Sequence, residues 1–215
     1  MSDWLNNTFY NFDRGVFISM NNLAKAMGGF LTPLFKAITF LGNGGWFFIL
    51  LGIVLILFKN TRKTGLAVLL SLLFGAIFTN IILKNIVARP RPYLVNAEYR
   101  MYWQSVWGKV QSEMSFPSGH STASMAFAMA FYLAFNKKWG WVGFVLALVI
   151  GLTRLYFIVH YATDIVGGFM VGAIAGVIGT YLMKYLFSLI KKNKNKKFCA
   201  FILKADIKNL FNKSK

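Results

Sequence analysis

The chain contains two histidines, His120 and His160, and both fall in short polar stretches flanked by long apolar runs. Asp164 follows His160 by four residues, a spacing that puts the two on one face if the segment is helical. A carboxylate so placed holds one imidazole nitrogen and fixes which nitrogen is free. His120 closes the stretch Pro117-Ser118-Gly119-His120. There Ser118 reads as a helix N-cap, and Gly119 lets a backbone N–H approach closely at a helix start, which attracts anions. Three cations join this set: Lys84, Arg91 ahead of Pro92, and Arg154 near the end of an apolar run. Ionisable groups inside apolar spans are costly and are usually functional, and the planar fork of an arginine matches phosphate oxygens.

Each group alone has a plain structural alternative. Lys84 and Arg89 could snorkel at a helix end, Ser118 could cap a helix beside a bystander histidine, and His160 with Asp164 could cap the last run. The set as a whole fits phosphoryl transfer. That chemistry needs a nucleophilic imidazole with an orienting partner, a second imidazole to protonate the leaving oxygen, and cations with backbone N–H groups to stabilise the transferred group. With both histidines and the acid assigned in this way, no ligand set remains for a metal, and no cofactor is expected.

The elements that must position these residues are apolar. Of 215 residues 57% are hydrophobic, too many for a soluble fold of this size to cover with polar surface, and the class expected is an all-α, multi-span transmembrane helix bundle. A span needs about 20 mostly apolar residues. Five runs qualify, at roughly 43–58, 65–84, 119–135, 140–158 and 164–188. Residues 13–41, broken by Asn21, Asn22, Gly28, Gly29 and Pro33, read as two short amphipathic helices near the interface, with a marginal sixth span as the alternative for the first. This gives an N-terminal segment at 1–41, a membrane core at 42–190 and a basic tail at 191–215. In that tail Leu203, Ile207, Leu210 and Phe211 recur at helical spacing, so it reads either as an amphipathic helix on the inner leaflet or as disorder. No cleavable signal peptide is expected from the N-terminal sequence, and the single cysteine, Cys199, excludes an internal disulfide.

Lys and Arg number 24 against 6 acids, a net charge of +18. On a membrane protein this charge serves orientation and anionic lipid; nucleic acid is not expected as a partner. Lys59, Arg62, Lys63, Lys137, Lys138 and the lysines of the tail all fall on one side if the five runs cross, and positive charge makes that side cytoplasmic. Arg89, Arg91, Arg100 and Lys109 fall on the other side, against the charge rule, together with both histidines. Trp46, Trp139 and Trp141 read as interface anchors, whereas Trp103 and Trp107 either dip into the headgroups or cover the site, or else pack within the outer loop.

These residues resemble the type 2 phosphatidic acid phosphatase family, which shares its motifs with vanadium haloperoxidases. The family pattern K-x6-R-P is met by Lys84, Arg91 and Pro92; P-S-G-H by Pro117, Ser118, Gly119 and His120; and S-R-x5-H-x3-D by Arg154, His160 and Asp164. Thr153 stands where the family often has serine and keeps a hydroxyl. The resemblance covers about residues 35–185 and implies a six-helix, bundle-like core. It implies a phosphohistidine on His160, oriented by Asp164, with His120 protonating the leaving group and then activating water. Lys84, Arg91, Ser118, Gly119 and Arg154 would hold the phosphoryl oxygens, without a metal. Because the motifs lie at span ends near headgroup level, the substrate expected is a lipid phosphate or pyrophosphate. An outward-facing site favours undecaprenyl pyrophosphate over phosphatidylglycerophosphate or phosphatidic acid. A lipid phosphotransferase would use the same residues, and a lipid-binding scaffold or transporter would use them for binding alone. The oligomeric state is left open.

Overall fold

The computed structural model describes residues 1–208, and among them every regular element is helical. A short helix, α1 (Ser2–Thr8), and a longer one, α2 (Tyr10–Ala26), open the chain, followed by α3 (Leu31–Gly42) and α4 (Trp46–Leu57). Next come α5 (Arg62–Ala76), a π-helical stretch Ile77–Leu83, α6 (Lys84–Val87), α7 (Pro92–Val95) and α8 (Ala97–Val106). The chain continues through α9 (Gly119–Ala134), α10 (Lys137–Tyr156), α11 (Ala162–Lys192) and α12 (Lys197–Lys204).

Helices α4, α5, α9, α10 and α11 correspond to the five expected apolar runs. Among the described residues four stretches are long and apolar enough to cross a membrane: Leu31–Leu57, Arg62–Val95, Lys137–Tyr156 and Ala162–Lys192. The first differs from the sequence reading, which set 13–41 apart as interfacial. Here α3 runs into α4 through an elbow at Asn43–Gly45, so the two helices form one course. The elbow depends on glycine, because Gly44 (φ 61°) and Gly45 (φ 70°) both take the left-handed backbone that a side chain disfavours. At its upper end α3 is tied to α10, where the Thr32 and Tyr156 hydroxyls lie 2.8 Å apart.

Helix α9 sits between α5, α10 and α11 in the middle of the bundle. At 16 residues it is about 24 Å long, shorter than the roughly 30 Å hydrocarbon core. Glycines bring α9 and α11 together: a Cβ on Gly168, Gly172 or Gly176 would lie 2.5–2.7 Å from Ser118 O, Thr122 O or Met129 Cβ. Phe48, Val68, Leu72, Phe127, Ile150, Ala175 and Phe187 fill the space between the helices.

A second apolar cluster caps the end of the bundle where the motifs lie. It joins Phe17 of α2 with Tyr93, Tyr99, Tyr102 and Trp103 of α7 and α8, and with Tyr156, Phe157 and Val159 after α10. Trp103 stacks on Tyr93 at 4.3 Å between centroids, and Trp107 packs on Phe157 at 4.5 Å. Both tryptophans therefore pack within the cap, as the loop-packing alternative has it. At the opposite end, α12 includes Leu203, but the helix stops at Lys204, and Ile207 beyond it donates its backbone N–H to Leu57 O. Leu210 and Phe211 lie outside the described residues.

Candidate active site

The polar end of the bundle is assembled from four helix ends. The π-helical turn ahead of Lys84 departs from regular α-helix, and it is fastened to α9 by a 2.9 Å hydrogen bond from Thr79 to Thr122. Ala88 then ends α6 in the left-handed region, and the prolines at 90 and 92 prevent the helix from resuming before Arg91 is placed. Ser118 caps α9 as expected, its hydroxyl accepting from the Ser121 N–H at 3.4 Å and the Ser121 hydroxyl at 3.0 Å. Helix α10 ends at Tyr156, and the chain turns through Phe157–Tyr161 before α11 begins at Ala162. His160 thus precedes the helix that carries Asp164, and the two share a turn instead of a regular helix face.

One cavity of about 610 Å³ gathers most of the expected residues: Lys84, Arg91, Gly119, His120, Arg154 and His160. Two expected residues stand behind its wall. Asp164 is fully buried, and Ser118 is buried with its hydroxyl directed into the helix cap. The Ser118 backbone also donates to Asp164 O at 3.0 Å, joining the starts of α9 and α11.

The geometry around His160 fixes its tautomer. Arg91 Nη1 lies 3.3 Å from His160 Nε2 and also donates to Val159 O at 2.7 Å. An arginine can only donate, so Nε2 carries no proton and Nδ1 does. Nδ1 faces Asp164 Oδ2 at 3.4 Å. That oxygen also accepts from the Ser115 hydroxyl at 2.5 Å and the Tyr161 N–H at 2.9 Å. Burial pushes the His160 pKa well below its ordinary value, with Arg91, Arg154 and Lys84 adding to the shift, so the ring is neutral near pH 7.

The cations are held from unexpected directions. Arg154 Nη1 donates to Thr39 of α3 at 2.7 Å, while its buried Nε has no acceptor among the described residues. Lys84 pairs with Glu113 of the loop before α9, and Arg91 Nε donates to the Glu113 carbonyl at 2.8 Å. The hydrogen bond from Lys84 holds the Glu113 carboxyl below its usual range. On the other side of the site, α3 presses on His120: a Cβ on Gly42 would lie 2.7 Å from His120 Cδ2.

Thr39, Gly42, Glu113 and Ser115 were not singled out from sequence. Ser115 adjoins the P-S-G-H stretch and Glu113 is an acid amid basic residues, so both carried a weak signal. Thr39 and Gly42 carried none, since their partners lie 78 or more residues away in the chain.

Two histidines and three cations thus line one cavity at an end of the helical bundle. The chain belongs to the PAP2 superfamily, whose profile it matches over residues 64–188. It is 30% identical over 122 residues to an undecaprenyl-diphosphatase of Sulfolobus acidocaldarius, covering 56% of this chain and 55% of that protein. It is 32% identical over 164 residues to a lipid A 4'-phosphatase of Porphyromonas gingivalis, covering 72% of this chain and 69% of the relative. A phosphatidylglycerophosphatase B of Bacillus subtilis is 29% identical over 178 residues, covering 78% and 72%. The fold is shared with the crystal structure of Aquifex aeolicus LpxE, at TM-score 0.61 and 23% identity over 77% of this chain and 92% of that one. It is also shared with that of a transmembrane PAP2-type phosphatidylglycerolphosphate phosphatase from Bacillus subtilis, at TM-score 0.64 and 22% identity over 83% and 88%.

Proposed function

We propose that this chain hydrolyses a phosphate or diphosphate monoester carried by a membrane lipid, through a phosphohistidine on His160. The observation that carries this reading is the cavity itself. One end holds His120, His160, Lys84, Arg91 and Arg154; the other runs along Ile49, Leu69, Leu72 and Leu73 of α4 and α5. Ile49 and Leu73 are also exposed on the outer, apolar surface of the bundle. A lipid therefore leaves its chains against hydrocarbon while its phosphate reaches the cations.

In the first step the His160 Nε2 lone pair attacks phosphorus and the bond to the leaving oxygen breaks. His120 delivers a proton to that oxygen. In the second step His120 takes a proton from water, the oxygen of that water attacks phosphorus, and the P–N bond breaks to free phosphate and neutral His160. Asp164 holds the Nδ1 proton and offsets the charge that grows on the ring. Arg91, Lys84, Arg154 and the amide groups at Gly119 face the phosphoryl oxygens, and Ser118 sets the helix start that presents those amides. The unpartnered Nε of buried Arg154 is a donor that an oxyanion would satisfy.

Among lipids we favour undecaprenyl diphosphate. The excess of positive charge at the opposite end of the bundle supports a site on the extracytoplasmic face, with the C-terminal tail in the cytoplasm. The test is phosphate release by the purified protein in detergent, with chelator throughout, from undecaprenyl diphosphate, phosphatidylglycerophosphate and phosphatidic acid. Release that survives chelator and vanishes in His160→Ala is expected. Equal activity in that variant would exclude the phosphohistidine, and preference for another lipid would reassign the substrate.

A further inference from the structure

The side chains behind Asp164 lead out of the family-matched region and into the N-terminal helices. Arg89 is 1% exposed and lies two residues before Arg91. All of its guanidinium nitrogens are bonded. Nη1 donates to Asp164 Oδ1 at 2.8 Å and to the Thr163 hydroxyl at 2.7 Å. Nη2 donates to Asp13 Oδ2 of α2 at 2.8 Å, and Nε to Asn6 Oδ1 of α1 at 2.8 Å. The flat face of the group lies on the Tyr161 ring, 3.6 Å from its centroid.

Asp13 does more than pair with Arg89. Its Oδ1 accepts the backbone N–H of Thr163 at 2.9 Å, and its carboxylate accepts the Thr163 hydroxyl as well. That N–H belongs to the first turn of α11, one of the donors that a helix leaves unpaired. A carboxylate from α2 thus caps the helix that carries Asp164. The two carboxylate oxygens of Asp164 are consequently divided: Oδ1 is pinned by Arg89, and Oδ2 turns to His160.

We propose that Asp13 and Arg89 are positioning residues for the His160–Asp164 pair, so that the N-terminal helices are a working part of the enzyme. This rests on the roles given above to His160 and Asp164. The geometry follows from the divided bonding: one oxygen of Asp164 is fixed so that the other faces Nδ1. The charge balance follows as well. Arg89 is shared between two buried carboxylates, which leaves a net negative charge to match the cation that forms on His160. Without the charge on Asp13, Arg89 bears on Asp164 alone and draws its charge away from the ring.

The test compares wild type, Asp13→Asn, Asp13→Glu, Arg89→Gln and the Asp13→Asn/Arg89→Gln double variant, with His160→Ala as control. Substrate is the lipid that gives release in the wild type, and each variant's thermal unfolding is recorded in the same detergent. Asp13→Asn keeps the shape and removes the charge. It is expected to lower kcat by about ten- to a hundredfold, with KM within about threefold, and to slow phosphoenzyme formation in rapid-quench experiments by the same factor. Asp13→Glu is expected to recover part of that loss, and in the Arg89→Gln background the second change is expected to cost little more. Unchanged kcat in folded Asp13→Asn overturns the proposal, as does a loss that is fully additive with Arg89→Gln. If His160→Ala retains activity, the underlying mechanism fails instead; a dead His160→Ala beside a normal Asp13→Asn refutes the positioning role alone.

Discussion

Substituting Gly42 by alanine tests the placement of His120. The added Cβ would lie 2.7 Å from His120 Cδ2 and 3.2 Å from Ile150 Cγ2. Carbon atoms in contact prefer about 3.5–4.0 Å, so the imidazole must retreat by about 1 Å. The ring is the free end of a side chain at the edge of the cavity, so this movement costs little folding energy. Alanine is also favoured over glycine in a helix by about 1 kcal/mol, which offsets what strain remains. The catalytic cost is different in kind. A displacement of about 1 Å in a reacting group lowers the rate about a hundredfold, close to 2.7 kcal/mol on the barrier. Gly42→Ala is therefore expected to unfold at or near the wild-type temperature while kcat for phosphate release falls about a hundredfold. The assay pairs steady-state release in detergent with thermal unfolding of the same preparation. A folded variant with kcat within about threefold of wild type would refute the claim that α3 sets the position of the proton donor.

Four further outcomes are expected. Thr39→Val removes the acceptor that orients Arg154; a hydrogen bond to a charged group contributes about 1.5–3 kcal/mol, so kcat/KM should fall about tenfold or more, and a change under twofold would contradict the role given to Thr39. His160 must be unprotonated to attack and its pKa is lowered, so activity persists as pH falls below the ordinary histidine value; the acid limb of kcat/KM should lie below about pH 6.5, and a limb at or above it would oppose this reading. Glu113→Gln releases Lys84 from a partly exposed ion pair, and the inhibition constant of inorganic phosphate should drop about two- to fivefold, whereas a rise would show that Glu113 assists binding. Gly179→Ala would set a Cβ 2.3 Å from Ser71 Oγ and 2.5 Å from its backbone nitrogen; the overpacking should cost about 1–3 kcal/mol in stability, read as a lower melting temperature, with kcat of the folded enzyme unchanged.

What was legible in the sequence had short-range or compositional signals. The five apolar runs appear as α4, α5, α9, α10 and α11 because a long uninterrupted apolar stretch in a membrane chain folds as a helix, although α9 is too short to be selected as a span by length. The three motif stretches meet in one cavity because alternating spans must return them to one end of the bundle. Other features had no local signature. Asp13 sits in a helix whose sequence is amphipathic and broken in character, and nothing nearby marks it as buried; its partners Arg89 and Thr163 are 76 and 150 residues away. Arg89 reads from sequence as a snorkelling side chain or as one of several outer-side charges against the charge rule, yet it is more deeply buried than Arg91. A fully buried cation needs a buried anion, and that bookkeeping cannot be done until both are located in space. The elbow at Gly44 and Gly45 was equally opaque, because a glycine pair ends one helix as readily as it bends two into a single course.

The close approach of α9 and α11 has a mechanical consequence. Gly168 and Gly172 lie against the backbone of α9 and Gly176 against Met129, leaving only a thin layer of side-chain atoms to yield between the two helices. His120 lies in the first turn of one of these helices and His160 two residues before the other, so both belong to a fixed jaw. The opposing jaw is built differently, from the glycine elbow, the π-helical turn and the aliphatic side chains of α4 and α5. On the function proposed above, accommodation of lipids of different girth falls to that side. A change of diet in such an enzyme would therefore be written in Ile49, Leu69, Leu72 and Leu73, while the chemistry across from them stayed as it was.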